Sequence, residues 1–242
     1  VAAIIIIVLL RDETLTIHIG KKFNYKYDGK MVGKILKIGI PNGIENSMFQ
    51  LGKVVLLSVV STFGTISITA NAVANTVSGF QMLPGGAIGL GLVTVVSQCV
   101  GANDYEQVRY YTKKLIKYAH LSLIIINLII FLATPFILKA YNLSPETTAL
   151  TKKIIFLYGI NAIIIWRLAF TLPNTLRASN DVRYAMVVSI GSMWIIRIGL
   201  GIFFAKVLNI GMFGAWMGMI CDWYVRSAFF IQRFKGTKWI KS

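Results

Sequence analysis

Acidic residues are scarce in this chain, nine Asp and Glu among 242 residues against twenty-five Lys and Arg, and charged residues of both signs make up only 14%. A soluble globular domain carries about a quarter charged residues, so this composition excludes an ordinary water-soluble fold. There are two cysteines, Cys99 and Cys221. They lie far apart, each in or beside an apolar run, which argues against a disulfide framework and against thiolate metal spacing. The two histidines, His18 and His120, have no Cys, His or carboxylate at ligand spacing. No Ser/His/Asp, Cys/His or paired-carboxylate set stands out, so no enzyme chemistry and no cofactor are expected. No stretch alternates apolar and polar residues over the ten or so positions that a membrane barrel strand needs.

What the chain has is apolar residues, 56% of the total, gathered in long runs such as 121–138, 154–172 and 186–207. About twenty apolar residues in a helix cross about 30 Å of hydrocarbon. The reading is an all-α membrane protein whose solvent, and one of whose partners, is lipid. The net charge of +16 would suggest nucleic acid in a soluble protein, but the basic residues fall in alternate loops. Arg11, Lys21, Lys22, Lys26, Lys30, Lys34 and Lys37 form one set, Arg109, Lys113, Lys114 and Lys117 a second, Arg177 and Arg183 a third, and Arg233, Lys235, Lys238 and Lys241 a fourth. By the positive-inside rule these loops and the C-terminus face the cytoplasm of a cell membrane, and no nucleic-acid partner is expected.

The opening run VAAIIIIVLL has no basic n-region and no small-residue cleavage site, so it reads as the end of a helix whose start is missing. Residues 1–10 are therefore expected to be that truncated helix, 11–33 a cytoplasmic linker, 34–232 a six-helix lobe and 233–242 a basic cytoplasmic tail. Within the lobe, helices are expected over 34–60, 68–100, 117–140, 150–175, 183–208 and 212–232. The short link STFGTIS closes a hairpin, Gly101 is the expected C-cap, and Asn103 or Asp104 is expected to cap a short amphipathic entry to the next span.

One carboxylate is out of place. Glu45 lies deep within the helix expected over 34–60, where a charge is costly unless it faces a cavity or a partner. In IPNGIENSMFQLGK, Asn42, Glu45, Asn46, Gln50 and Lys53 fall within an arc of roughly 140° at about 100° per residue. Pro41 precedes them and predicts a kink. The functional reading makes Glu45 a proton or Na⁺ site with amide oxygens nearby; the bland one pairs it with Lys53 or another helix. Asn71, Asn75, Ser78 and Gln81 repeat the pattern on the next helix and are expected to face Glu45. Asp222 and Arg226 read as an intrahelical ion pair. Arg167 and Arg197 either snorkel or pair with Asp222. Trp194, Trp216, Trp223 and Trp239 read as interfacial anchors, and Pro84, Gly85, Gly86, Gly89 and Gly91 as tight packing.

Three stretches carry a resemblance: IPNGIENSMFQLGK, TANAVANTVSGFQMLPGGAIGLGLVTVVSQCVGANDYEQVR, and LRASNDVRYAMVVSIGSMWIIRIGL with GMFGAWMGMICDWYVRSAFFIQRFKGTKW. In order and spacing they resemble the seventh, eighth and tenth-to-twelfth helices of multidrug and toxic compound extrusion (MATE) exporters. The resemblance implies half of a twelve-helix, two-lobe transporter, whose N-terminal lobe would be the missing partner of the same chain. It further implies Na⁺ or H⁺ exchanged by antiport for small organic, cationic compounds. Glu45 matches the acid of the family's seventh helix. The carboxylate that some members carry in the tenth helix has no counterpart in 150–175, which holds Asn161 and Arg167 instead. A lipid-linked oligosaccharide flippase of related architecture, with a strongly cationic cleft, is the alternative, followed by a non-transporting subunit or a membrane enzyme.

Overall fold

The structure, a computed structural model, describes residues 28–240, apart from the side chains of Lys34 and Ile38. The expected truncated helix over 1–10, most of the linker and the last residues of the tail lie outside the described residues. The chain divides into two units, one ending at Lys37 and one running from Ile38 onward. In the first, the carboxylate of Asp28 accepts from the backbone N–H of Lys30 and Met31 at 2.9 and 3.3 Å. That cap starts a helix at Gly29, ahead of the expected Lys34. Apart from the start of that helix, all that follows concerns the second unit.

Six long helices, joined by short turns, make up the described chain: α1 (Gly29–Ser61), α2 (Gly64–Gly101), α3 (Tyr105–Ala140), α4 (Pro145–Ala178), α5 (Val182–Val207) and α6 (Met212–Lys235). α1 continues as one helix past Pro41. α3 starts at Tyr105, so the amphipathic entry and the apolar span expected at 117–140 are one helix. Helices α2 to α5 are long and apolar enough to cross a membrane. On α3, Leu121, Ile125, Leu128, Leu132 and Phe136 form an exposed stripe, with Leu132 at 78% and Phe136 at 76%. Such a surface fits acyl chains and not water.

Asparagine ends four of the six helices. Asn103, Asn142, Asn180 and Asn209 all have positive φ, between 47° and 66°, a conformation Asn tolerates better than most residues. After α2, Asp104 N–H reaches Cys99 O at 3.0 Å and Asn103 N–H reaches Val100 O at 3.0 Å. After α4, Asp181 N–H reaches Leu176 O at 2.9 Å and Asn180 N–H reaches Arg177 O at 3.1 Å. Both are Schellman closures, and the left-handed residue after α2 is Asn103 while the expected Gly101 remains helical. Asp104 then caps α3, accepting from Gln107 N–H at 3.0 Å, and Asp181 binds Arg233 through two bonds of 2.7 and 3.1 Å. The same Asn-Asp pair therefore serves both turns at the basic-loop end.

The main core joins α2, α4 and α6 through Ala70, Ala74, Ile154, Tyr158, Trp166, Met219 and Trp223. A second core at the basic-loop end gathers Leu92, Val96, Leu176, Phe230 and Trp239. Three of the four tryptophans expected at interfaces are core residues instead: Trp216, Trp223 and Trp239 are buried, and Trp194 is exposed. Their burial follows from their partners. Tyr158 meets Trp216 and Trp223 edge-on, and Trp239 stacks on Phe234. α5 and α6 approach backbone to backbone, because a Cβ on Gly214 would lie 2.6 Å from the carbonyl carbon of Phe204. Of the glycines near Pro84, Gly85 and Gly89 abut Trp166 and Asn174, whereas Gly86 and Gly91 face open space.

Candidate functional site

The polar residues of α1 are drawn into two places. Toward the basic-loop end, Nη2 of Arg177, in the last turn of α4, donates to Oε1 of Glu45 at 2.5 Å. Both side chains are largely covered, at 23% and 13% exposure. The second oxygen of Glu45, Oε2, is buried and makes no hydrogen bond among the described residues. Glu45 thus has a basic mate on another helix and one unoccupied acceptor. Asn42 is half-buried, while Asn46 is exposed and donates to the Asn42 carbonyl at 3.0 Å. Gln50 is exposed.

Further along α1, Lys53, Leu56, Leu57 and Val60 line a cavity of about 250 Å³ together with Asn71, Asn75, Arg197, Ala215, Trp216 and Met219. The geometry follows from the hairpin: Lys53 lies about two turns before its tip and Asn71 about two turns after it. Trp216 Nε1–H donates to Asn71 Oδ1 at 3.2 Å, and Asn75 Nδ2 donates to the Asn71 carbonyl at 2.8 Å. Gln81 does not belong here. It is fully buried, turned into the bundle, and donates to Ile155 O at 3.3 Å. The stripe of α2 winds about the helix, so Asn71 and Asn75 meet the cavity while Ser78 and Gln81 are buried.

Between the two places lie the charges of α5 and α6. Arg226 pairs with Asp222 at 3.3 Å, with side chains 4% and 0% exposed. Asp222 also accepts a short hydrogen bond from the Ser192 hydroxyl, and Arg226 donates to Ser189 O at 3.3 Å. Arg197 makes no hydrogen bond among the described residues, its Nε being buried and unsatisfied, although its charge interacts with that of Asp222. Arg167 does not pair with Asp222; it bonds His120 at 2.6 Å and the carbonyls of Ile163 and Ile164 at 2.8 and 3.0 Å. The ring of Phe49 sits 5.3, 5.4 and 5.7 Å from the cationic groups of Lys53, Arg197 and Arg226. An aromatic face attracts each of them.

Arg177, Phe49, Arg197 and Trp216 were not among the residues singled out for the site. Phe49 had a visible signal, since it sits one turn from both Glu45 and Lys53 on the same face. Arg177 had none, because a basic residue at a helix end looks like a loop charge.

An all-helical bundle with lipid-compatible outer faces and polar, charged residues turned inward defines a multi-pass membrane protein. Residues 41–203 match the MatE family model, and the chain belongs to that family. It is 32% identical over 192 residues to a probable multidrug resistance protein NorM of Bacillus licheniformis, covering 77% of this chain and 41% of the relative. With the probable NorM of Thermotoga maritima it shares 23% identity over 208 residues, covering 86% and 45%. A solved outward-facing multidrug resistance MATE transporter superposes with a TM-score of 0.86 at 15% identity, over 99% of this chain and 54% of that one. The chain thus spans less than half the length of these two curated relatives.

Proposed function

We propose that this chain is one lobe of a cation-coupled exporter, exchanging inward-moving Na⁺ or H⁺ for an outward-moving organic compound by alternating access. It lies in the cell membrane with its basic loops and C-terminus in the cytoplasm. The relatives are named as multidrug resistance proteins, which favours export of drug-like compounds over flipping of a lipid-linked oligosaccharide.

The observation that carries this reading is the half-paired carboxylate of Glu45. Oε1 is held by Arg177, and Oε2 is buried without a partner. A proton or Na⁺ reaching Oε2 neutralises the carboxylate and weakens its hold on Arg177, so ion binding and the α1 to α4 contact oppose each other. An ion shifts a conformational equilibrium only by its difference in affinity for the two states, and a contact that one state keeps and the other gives up supplies such a difference. Asn46 and Gln50 lie between Glu45 and the cavity along α1, with Asn42 on the other side of Glu45, and in the cavity Lys53, Asn71 and Asn75 would meet the compound.

The test is transport in proteoliposomes by the full-length protein carrying this chain, with and without Na⁺ and pH gradients. Glu45→Gln, which cannot be neutralised by an ion, is expected to lose gradient-driven efflux while still reaching the membrane. Efflux by Glu45→Gln that follows both gradients as the wild type does would remove Glu45 from the coupling.

A further inference from the structure

The cluster lining and adjoining the cavity holds four cations, Lys53, Arg177, Arg197 and Arg226, and two carboxylates, Glu45 and Asp222. Each carboxylate already has a basic partner: Glu45 is held through Oε1 by Arg177, and Asp222 by Arg226 together with Ser192. The two cations left over, Lys53 and Arg197, are the two that line the cavity. Among the described residues neither forms an ion pair or a hydrogen bond; both lie against the ring of Phe49, at 5.3 and 5.4 Å. Asp222 offsets the charge of Arg197 only at longer range, no carboxylate contacts Lys53 among the described residues, and the two cations together repel a cationic guest.

The rest of the lining suits a guest with an apolar body. Leu56, Leu57, Val60, Ala215 and Met219 supply the walls, with Trp216 beside them. The hydrogen bond from Trp216 Nε1–H to Asn71 Oδ1 fixes the amide of Asn71, so its Nδ2, which has no other partner among the described residues, remains a donor. Donors and positive charges surround the same space; of the amide acceptors that line it, Asn71 Oδ1 is engaged by Trp216, and Asn75 Oδ1 makes no hydrogen bond among the described residues.

We propose that this cavity binds the acid group of the exported compound, so that the substrates include organic acids: an apolar, ring-sized body bearing a carboxylate. The carboxylate sits against the planar fork of Arg197, which matches it with two parallel N–H bonds, and Lys53 adds a second charge. The body lies along Leu56, Met219 and Trp216. A volume of about 250 Å³ lies just below the usual range for small-molecule sites, which suits a body of one or two fused rings. This inference rests on the exporter reading for the word substrate, while the binding itself does not.

The experiment is therefore equilibrium binding without any gradient, on the purified full-length protein in detergent. Three probes of one shape are compared by titration calorimetry: 2-naphthoate, 2-naphthylmethylamine and 2-naphthylmethanol. The acid is expected to bind at least about tenfold more tightly than the amine, with the alcohol between them, and to weaken as salt is raised. Lys53→Met and Arg197→Gln should each weaken the acid by about tenfold and leave the alcohol within about twofold, while Arg197→Lys recovers part of the loss. Should Arg197→Gln fail to fold, Lys53→Met, at a position exposed on this lobe, carries the test alone. Amine binding as tight as acid binding overturns the proposal, and this is the result if an acid elsewhere in the full-length protein neutralises Lys53 and Arg197. Acid binding indifferent to Lys53→Met overturns it as well. Failure of gradient-driven transport with acid binding intact would count against the exporter reading alone.

Discussion

Arg226 and Asp222, one turn apart on α6, form an ion pair at 3.3 Å that is all but sealed from solvent. Such a pair adds little net stability over an apolar replacement, but breaking it leaves a charge stranded. Asp222→Ala is expected to cost about 3–5 kcal/mol, read as a lower melting temperature of the purified protein in detergent. Asp222→Ala combined with Arg226→Met should recover at least half of that loss. A single variant that melts with the wild type would mean that Arg226 finds other company.

The glycines of α6 make a sharper case. At Gly214 an added Cβ would collide with the backbone of Phe204, while at Gly86 on α2 nothing lies within 4 Å. Gly214→Val should force α5 and α6 apart and abolish recovery of folded protein from the membrane. Gly86→Ala should express and melt normally, since replacing a helical Gly by Ala gains up to about 1 kcal/mol. Comparable yields of the two by size-exclusion chromatography would contradict the packing described.

At the turns, Asn103 and Asn180 hold φ of 56° and 66°. Asn bears part of the left-handed penalty of about 1–2 kcal/mol itself and relieves the rest through its short polar side chain, so Ala at either position should be less stable than Asn by up to about 1 kcal/mol, whereas Gly should be at least as stable as Asn. Chemical denaturation of the three forms at each site decides it, and an Ala variant as stable as the Gly variant would refute the closure.

Trp239 lies beyond α6 and is fully buried, with Tyr105, Phe234 and Arg109 around it. Trp239→Ala is expected to cost about 3–5 kcal/mol and to expose the turn between α2 and α3 to proteolysis. Unchanged proteolytic protection would show that the tail merely rests there.

Those residues also mark where sequence reasoning reached and where it stopped. Helix number and approximate extent were legible, because twenty-residue apolar runs separated by basic turns leave few alternatives. Asp222 with Arg226 was legible because the partners sit one turn apart. Glu45 with Arg177 was not, since 132 positions separate them and only the folded chain brings α4 to α1. The tryptophans misled for a related reason: an aromatic near a helix end is an interfacial anchor or a core residue depending on whether a neighbour such as Tyr158 arrives. Gln81 failed on rotation, as a spacing of three and four keeps residues on one side for only a few turns.

Parts of α4 and α5 are wound more widely than an α-helix, over Ala162–Thr171, Ser192–Ile198 and Phe203–Val207. A wide turn admits one residue more than an α turn of equal height, so it changes the phase of everything downstream. Arg197 falls inside the second of these stretches. Its compass bearing around α5 is consequently set by a surplus residue, and trimming one position from 192–198 would swing the guanidinium away while leaving the helix nearly as long. Cationic character at this spot is therefore a property of winding as much as of residue type, and a change of pitch in α5 would present or withdraw the charge with no titration at all.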